Sequence, residues 1–376
     1  MAYCCKRSIQ LMRKIPLPGT AVDQLDTPVL VIDLDALEKN INVIATHYSD
    51  TKIKLRPHVK NHKSPQIAWM QVNAGGTVGG VCAAKVSEAE VFVEAGFPNV
   101  LIANQIVSAP KIQRLMSLAK RANLMVVVDD LEQVKLLSES ALKTNSTLGV
   151  LIEVNTMMRR GGIRSVEQGV SLAREIVAAP GLVFKGVQSH QVPETDAPNM
   201  AERFDQGQKF IGMVLDVKSA IEEVGITVEI VSTGESWSYD IAASMPGVTE
   251  IEGGTYIVME VPYSYMSEFT LAAKVIGTIV SKPSENTAIG DISIEAIGSP
   301  NGPPTVEAQE DVVVESMSLE HTVLKSTNSM PLDVGDRYTL LTHQQDITMN
   351  RWDQYVGIRN GVVEAVFDVT ARGCSN

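Results

Sequence analysis

From about residue 27 the chain alternates short apolar runs with helical stretches and keeps that order without a break. Thr27–Leu34 precedes a helix from Ala36, Ile53–Val59 precedes Ser64–Asn73, and Thr77–Ala83 precedes Ser87–Ala95. Asn99–Asn104, Asn123–Asp129 and Leu148–Val154 lead into Ala109–Ala122, Leu131–Leu142 and Ser165–Ala179. Val183–Gln188 leads into Ala201–Glu223, and Val228–Ser232 into a short helix near Tyr239–Ser244, with Tyr256–Met259 as a further strand. Runs this short and this rich in Val, Ile and Leu are buried on both faces, which points to parallel βαβ units. Eight units with short loops favour a closed (β/α)8 barrel of the TIM type over an open doubly wound sheet. In such a barrel the chemistry sits at the C-terminal ends of the strands.

The rhythm stops near Pro262. Beyond it the chain reads as short strands with turns: Leu271–Ser281, Asp311–Val314, Arg337–Thr342, Tyr355–Arg359 and Val362–Val369. Arg359-Asn360-Gly361 is a hairpin signal. The expected organisation is an extension over residues 1–25 joining the β domain, a barrel over 26–264, and a mainly β domain over 265–376. The net charge of −12 and the lack of a basic run argue against nucleic-acid binding, and no apolar run is long enough for a membrane span. Cys4, Cys5, Cys82 and Cys374 form neither a disulfide framework nor a CxxC pair, so a reducing, cytoplasmic setting is expected. Met1–Lys14 reads as a disordered or edge-docked extension, or the product of an early start codon; its apolar part is too short for a secretory signal.

The most informative segment is Leu55-Arg56-Pro57-His58-Val59-Lys60-Asn61-His62-Lys63. Three Lys/Arg and two His fall within eight residues at a strand's C-terminal end. Crowding by cations lowers a lysine's pKa and leaves more free amine for imine formation, and an anion is needed to offset the charge. A solvated basic loop at the rim is the plain alternative.

Arg-Pro-His-x-Lys-x-His-Lys resembles the cofactor-lysine motif of the D-threonine aldolase and D-serine dehydratase family, enzymes with an alanine-racemase-type barrel that use pyridoxal 5′-phosphate (PLP). The resemblance implies that PLP is carried as a Schiff base on Lys60, with Lys63 as the competitor. It extends over nearly the whole chain. Asp26-Thr27-Pro28-Val29-Leu30 resembles the family's opening strand, and Lys85-Val86-Ser87-Glu88-Ala89 its third βα turn. Glu153-Val154 followed by Arg159-Arg160-Gly161-Gly162-Ile163 resembles a segment that places an arginine, here Arg160, near the cofactor. Two turns resemble phosphate-contacting segments: Ser232-Thr233-Gly234-Glu235-Ser236, offering Gly234 and Ser236, and Gly253-Gly254-Thr255-Tyr256, offering Gly254, Thr255 and Tyr256. Backbone N–H groups at such turns suit a phosphate. Glu235 departs from the pattern and is expected to point away from the phosphate. Gln188-Ser189-His190-Gln191 stands where the family often has Gln-x-Tyr-x-Gly-His. Gln188 and His190 are therefore taken to the cofactor or substrate, with His190 in the tyrosine's place.

Members of the family commonly hold a divalent ion through a histidine and an Asp or Cys two residues later. Here Asp346 aligns and His343 lies one residue further away; a hydrogen-bonded His–Asp loop is the alternative to Zn, Mn or Mg at this pair. Glu320-His321 and the Arg372-Gly373 ending also resemble family features. The resemblance implies a homodimeric lyase acting on a D-β-hydroxy amino acid. Either it cleaves the substrate by retro-aldol reaction or it dehydrates D-serine or 3-hydroxyaspartate, and the aldolase is preferred. An amino-acid racemase would need a second base, for which Tyr263, Tyr265 and Tyr338 are available in no racemase-like motif. A PLP-binding protein without turnover, or a barrel enzyme without PLP, are the remaining rivals.

Overall fold

The computed structural model describes residues 15–194 and 198–376, so the readings for Met1–Lys14, with Cys4 and Cys5, lie outside the described residues. The chain forms two units. Among the described residues, one comprises those from 15 to Leu37 with Leu271–Val369, the other those of Glu38–Thr270 with Thr370–Asn376. Strand β1 (Val29–Asp33) pairs antiparallel with Ile276–Ala273 and parallel with Val356–Ile358, all in the first unit. The run Thr27–Leu34 therefore does not open the barrel. A strand buried on both faces has the same composition in a parallel barrel and in the middle of a mixed sheet, so the apolar run could not separate them.

The second unit holds eight parallel strands: β2 (Lys54–Leu55), β3 (Val81–Ala83), β4 (Asn99–Ile102), β5 (Asn123–Val128), β6 (Leu148–Glu153), β7 (Leu182–Gln188), β8 (Ile230–Ser232) and β9 (Glu250–Ile251). Their order is β2-β9-β8-β7-β6-β5-β4-β3. The two ends meet through bridges at His58–Cys82 and Leu55–Thr77, with Val59 N–H donating to Cys82 O (2.9 Å) and Cys82 N–H to Pro57 O (2.8 Å). An open sheet would leave those groups unpaired, and the ring closes as a TIM-type barrel. The eighth strand is the two-residue β9, hidden in an acidic run, while Tyr256–Met259 is a turn of 3-10 helix at Thr255–Ile257.

Side chains alternate along each strand. Cys82, Leu101, Met125, Val127 and Leu151 pack inside the ring. Val81, Val100, Ile102, Val126 and Ile152 face the helical layer, against Phe92, Leu115, Leu137 and Ile176. Each such fully buried side chain contributes about 1.5–3 kcal/mol. The helices are α1 (Leu34–His47), α2 (Pro65–Ala74), α3 (Val86–Glu94), α4 (Ala109–Ala119), α5 (Leu131–Thr144), α6 (Val166–Ala178), α7 (Met200–Glu223) and α8 (Tyr239–Ala243). Their starts follow local chemistry: Asp130, Ser165 and Asn199 cap α5, α6 and α7 through side-chain oxygens. Residues 370–376 return to this unit, where Ala371 N–H donates to Lys63 O (3.0 Å) and Ser87 N–H to Asn376 O (3.0 Å).

In the first unit, β10 (Ala273–Ser284), β11 (Thr287–Gly290), β12 (Thr305–Val306), β13 (Val312–Met317), β14 (Thr322–Ser326) and β15 (Arg337–Leu341) form a closed antiparallel ring, β10-β11-β14-β13-β12-β15. From β10 the sheet continues through β1 to β16 (Gln354–Arg359) and β17 (Val362–Asp368). Asn360 and Gly361 take φ of 50° and 75°, the tight hairpin turn that their sequence signals. Gly19 and Val22 donate backbone bonds to Val363 and Gly361, tying this part of the chain to β17.

Candidate active site

A cavity of about 230 Å3 opens at the C-terminal ends of the barrel strands, lined by His58, Lys60, Ala84, Ala103, Asn104, Gln105, Glu153, Arg160, Gly161 and His190. Lys60, Arg160 and His190 thus come together as the motif analysis expects, from loops after β2, β6 and β7. Asn104 and Gln105 were not singled out in the sequence, although their place just beyond β4 is the signal that finds such residues in a barrel. Gln105 Nε2 donates to Glu153, and Arg160 Nη2 lies 3.5 Å from the same carboxylate.

The cationic cluster is sorted by its partners. Arg56 is buried and forks onto Glu250, with Nε–Oε1 2.7 Å and Nη2–Oε2 2.9 Å. Its Nη1 donates to Asn99 Oδ1 (2.9 Å). The Lys63 ammonium is ion-paired with buried Glu88 and is not in the cavity lining, whereas Lys60 is. Two of the charges read as needing an external anion are therefore offset by carboxylates of the chain itself. His58 is almost fully buried, and its Nδ1 has no partner. Burial first, then the charges of Lys60 and His190, hold its imidazole well below the usual range, and hence neutral.

Inside the ring, Glu252 has no exposure. Its Oε1 accepts from Ser232 Oγ (2.8 Å), and its Oε2 from Cys82 Sγ and Gln188 Nε2 (3.3 Å each). Burial, with the charge of Glu235 second, raises the Glu252 carboxyl to about 8. Gln188 is buried with its Oε1 unpartnered. His58, Cys82 and Glu252 are, among the described residues, the one group of three whose ligand atoms all lie within 4.8 Å of one another. Their thiol–carboxyl hydrogen bond already joins two of them.

The two glycine turns meet each other, since Tyr256 N–H donates to Ser236 Oγ (3.0 Å). Gly234, Ser236, Gly254, Thr255, Tyr256 and Gln188 are not in the cavity lining. The turns nonetheless abut the lysine loop: His58 N–H donates to Gly253 O (2.9 Å). A Cβ on Gly254 would come 2.1 Å from Asn61 Oδ1 and 2.8 Å from His58 O, so only glycine permits this approach. The Tyr256 phenol is buried and accepts from Gln71 Nε2 (2.6 Å), so with its N–H on Ser236 Oγ the residue, expected at the phosphate, has both its hydroxyl and its N–H engaged within the chain. Glu235, which departs from the family pattern, sets its carboxylate against His190 Nδ1.

His343 and Asp346 lie in the β unit. His343 Nε2 shares a hydrogen bond with Thr305 Oγ1 (3.0 Å), and Asp346 sits in the first turn of α9 (Gln345–Met349). Glu320 and His321 are exposed on the turn between β13 and β14. Tyr338, a candidate racemase base, is buried and accepts from Ile292 N–H (3.0 Å), and burial raises its phenol.

A closed parallel barrel with a lysine, two histidines and an arginine lining a cavity at its strand ends defines a barrel enzyme with its chemistry at the C-terminal face. Residues 32–262 match the family model described as "Alanine racemase, N-terminal domain", and residues 272–358 match "Putative serine dehydratase domain". The chain is 33% identical to a 3-hydroxy-D-aspartate aldolase of Paracoccus denitrificans (strain Pd 1222), over 95% of both chains. It is 29% identical to a D-threonine aldolase of an Arthrobacter species, over 95% of this chain and 96% of that one. The crystal structure of a D-threonine aldolase from Filomicrobium marinum superposes with a TM-score of 0.91 at 32% identity, covering 96% of this chain and 100% of that one. The chain belongs to the alanine racemase N-terminal domain family, in the branch that joins this barrel to a serine dehydratase-type β domain. It is a PLP-dependent lyase.

Proposed function

We propose that PLP is carried on Lys60 and that the enzyme cleaves a D-β-hydroxy amino acid, of the D-threonine or 3-hydroxy-D-aspartate kind, into glycine and an aldehyde. The observation that carries this reading is the sorting of the two lysines: Lys60 lines the cavity while Lys63 is tied to Glu88. The residues fit the cofactor. The buried Nδ1 of His58 and Oε1 of Gln188 lack partners, and the cavity offers an amine, a guanidinium and an imidazole. Gly234, Ser236, Gly254 and Thr255 would hold the phosphate through their N–H groups and the Ser236 hydroxyl, with Tyr256 N–H fixing that hydroxyl from behind.

When bound, PLP supplies an electron sink for the pair released at the α-carbon. Arg160, at the cavity mouth, orients the anionic substrate. The His190 imidazole receives the proton of the β-hydroxyl as the Cα–Cβ bond breaks, acting as general base. Neutral His58 lines the cavity without adding a charge. A divalent ion on His343 and Asp346 (Zn, Mn or Mg) would supply Lewis-acid chemistry. A homodimer in the cytoplasm completes the reading; it rests on the family resemblance and the cysteine usage. Among the described residues, no helix is long and apolar enough to cross a membrane.

D-threonine, 3-hydroxy-D-aspartate and D-serine, each with and without Mn2+ or Zn2+, test the proposal when aldehyde and 2-oxo acid are assayed separately. Equal yields of glycine and aldehyde are expected. Ammonia with a 2-oxo acid and no glycine would replace the aldolase by a dehydratase; the aldehyde expected from 3-hydroxy-D-aspartate is glyoxylate, formed with glycine and without ammonia. Loss of α-deuterium with inversion would replace it by a racemase, and no product from any substrate would remove the proposal.

A further inference from the structure

Two of the departures from the family pattern, His190 and Glu235, meet each other. His190 Nδ1 and a Glu235 carboxylate oxygen are in direct contact, and their side chains are only 14% and 10% exposed. Both loops are pinned by short local bonds. Thr156 Oγ1 donates to His190 O (2.7 Å), and Gln191 Nε2 donates to Thr233 Oγ1 (2.8 Å). Thr233 Oγ1 also shares a hydrogen bond with Ser189 Oγ (2.7 Å). Glu235 N–H in turn donates to Ser238 Oγ (3.0 Å). The imidazole lines the cavity; the carboxylate does not.

The surroundings give that pairing a task. Lys60, Arg160 and Glu153 line the cavity with His190, and His58 lies close enough to feel its charge. Glu252 feels the charge of Glu235 from inside the ring. An imidazole that must accept a proton beside Lys60 and Arg160 works against their charge. A carboxylate on Nδ1 offsets that opposition and fixes the tautomer, leaving the Nε2 lone pair as the acceptor.

We infer that Glu235 is a positioning residue for His190, holding Nδ1–H so that Nε2 takes the proton of the substrate's β-hydroxyl. The inference rests on the proposed role of His190 as that base. In the step itself the substrate O–H bond breaks, an Nε2–H bond forms, and Glu235 keeps its charge throughout.

The test uses the full-length holoenzyme and the variants E235Q, E235D, H190Q and H190Q/E235Q, with aldehyde formation followed across pH. E235Q is expected to lower kcat about 10- to 100-fold, the scale of losing an orienting partner, with KM nearly unchanged. The acidic limb should move down by about one pH unit. E235D should recover part of the loss, and the double variant should be no slower than H190Q. A second readout needs no turnover: imidazole NMR of the cofactor-free full chain. The chain has six histidines, and the H190Q spectrum identifies the signal. The His190 midpoint should fall in E235Q. An unchanged midpoint, or a double variant slower by the product of the single losses, overturns the inference. If H190Q retains full activity, the base assignment fails and the inference with it; a flat titration beside an inactive H190Q overturns the positioning alone.

Discussion

Glu252→Gln should make the protein more stable at alkaline pH, by an amount that the structure sets. The carboxyl is enclosed by the barrel and hydrogen-bonded by Ser232, Cys82 and Gln188. Burial and the neighbouring charge of Glu235 raise it from 4.5 to about 8. Below the lower value both folded and unfolded chains hold the proton, and stability is unaffected. Between the two values only the folded chain holds it, so stability falls by about 1.4 kcal/mol per pH unit. Across the whole gap the loss is roughly 5 kcal/mol. At about 2–4 °C per kcal/mol for a unit of this size, the barrel transition shifts by roughly 10–20 °C. The assay is thermal melting of cofactor-free wild type and E252Q from pH 5 to pH 9. The new amide adds a fixed cost, because one of its N–H groups faces Gln188, so the readout is the slope of the difference. That difference should grow steadily in favour of E252Q up to about pH 8 and then level off. Parallel curves over the range would show that Glu252 ionises normally and refute the reasoning.

Lys60→Ala should abolish borohydride fixation of PLP and the visible absorption of the bound cofactor. Lys63→Met should retain both but destabilise the fold by about 3–5 kcal/mol, since it leaves Glu88 buried and unpaired, as denaturant unfolding would show. Gly254→Ala should weaken PLP binding at least tenfold in a fluorescence titration, because its Cβ displaces Asn61 and His58. EDTA should remove turnover without altering the cofactor's absorption, and metal analysis should find an ion in the wild type that His343→Ala and Asp346→Ala both lose.

Where the sequence was legible, a periodicity or a motif carried the signal. Seven of the barrel strands were read at close to their observed places, because a run buried on both faces is continuous in Val, Ile and Leu. Val29–Asp33 has that same composition and pairs in the other unit; composition reports burial, and pairing partners lie far away in sequence. Glu250–Ile251 escaped because the carboxylates of Glu250 and Glu252 break the apolar run. One of those carboxylates binds Arg56, and the other is held by Ser232, Cys82 and Gln188. Lys60, Arg160 and His190, which share the cavity lining, are the residues that motif and position single out. The pairing of Glu235 with His190 was not legible, since it joins residues 45 positions apart on two loops. The sorting of Lys60 from Lys63 likewise needed Glu88, which the sequence showed only as part of a βα turn.

Strand β1 has a consequence for synthesis. Its partners at Ala273–Ile276 leave the ribosome roughly 240 residues after it, and those in β16 later still. At about 5–20 residues per second, Val-Leu-Val-Ile waits tens of seconds for its neighbours. All of the barrel strands are translated in that interval. The nascent chain therefore carries an unpaired apolar segment throughout translation of the barrel, the kind of segment that aggregates when left exposed. Expression yield should then depend on what shields these few residues, and polar substitutions within them would trade safety on the ribosome against closure of the finished sheet.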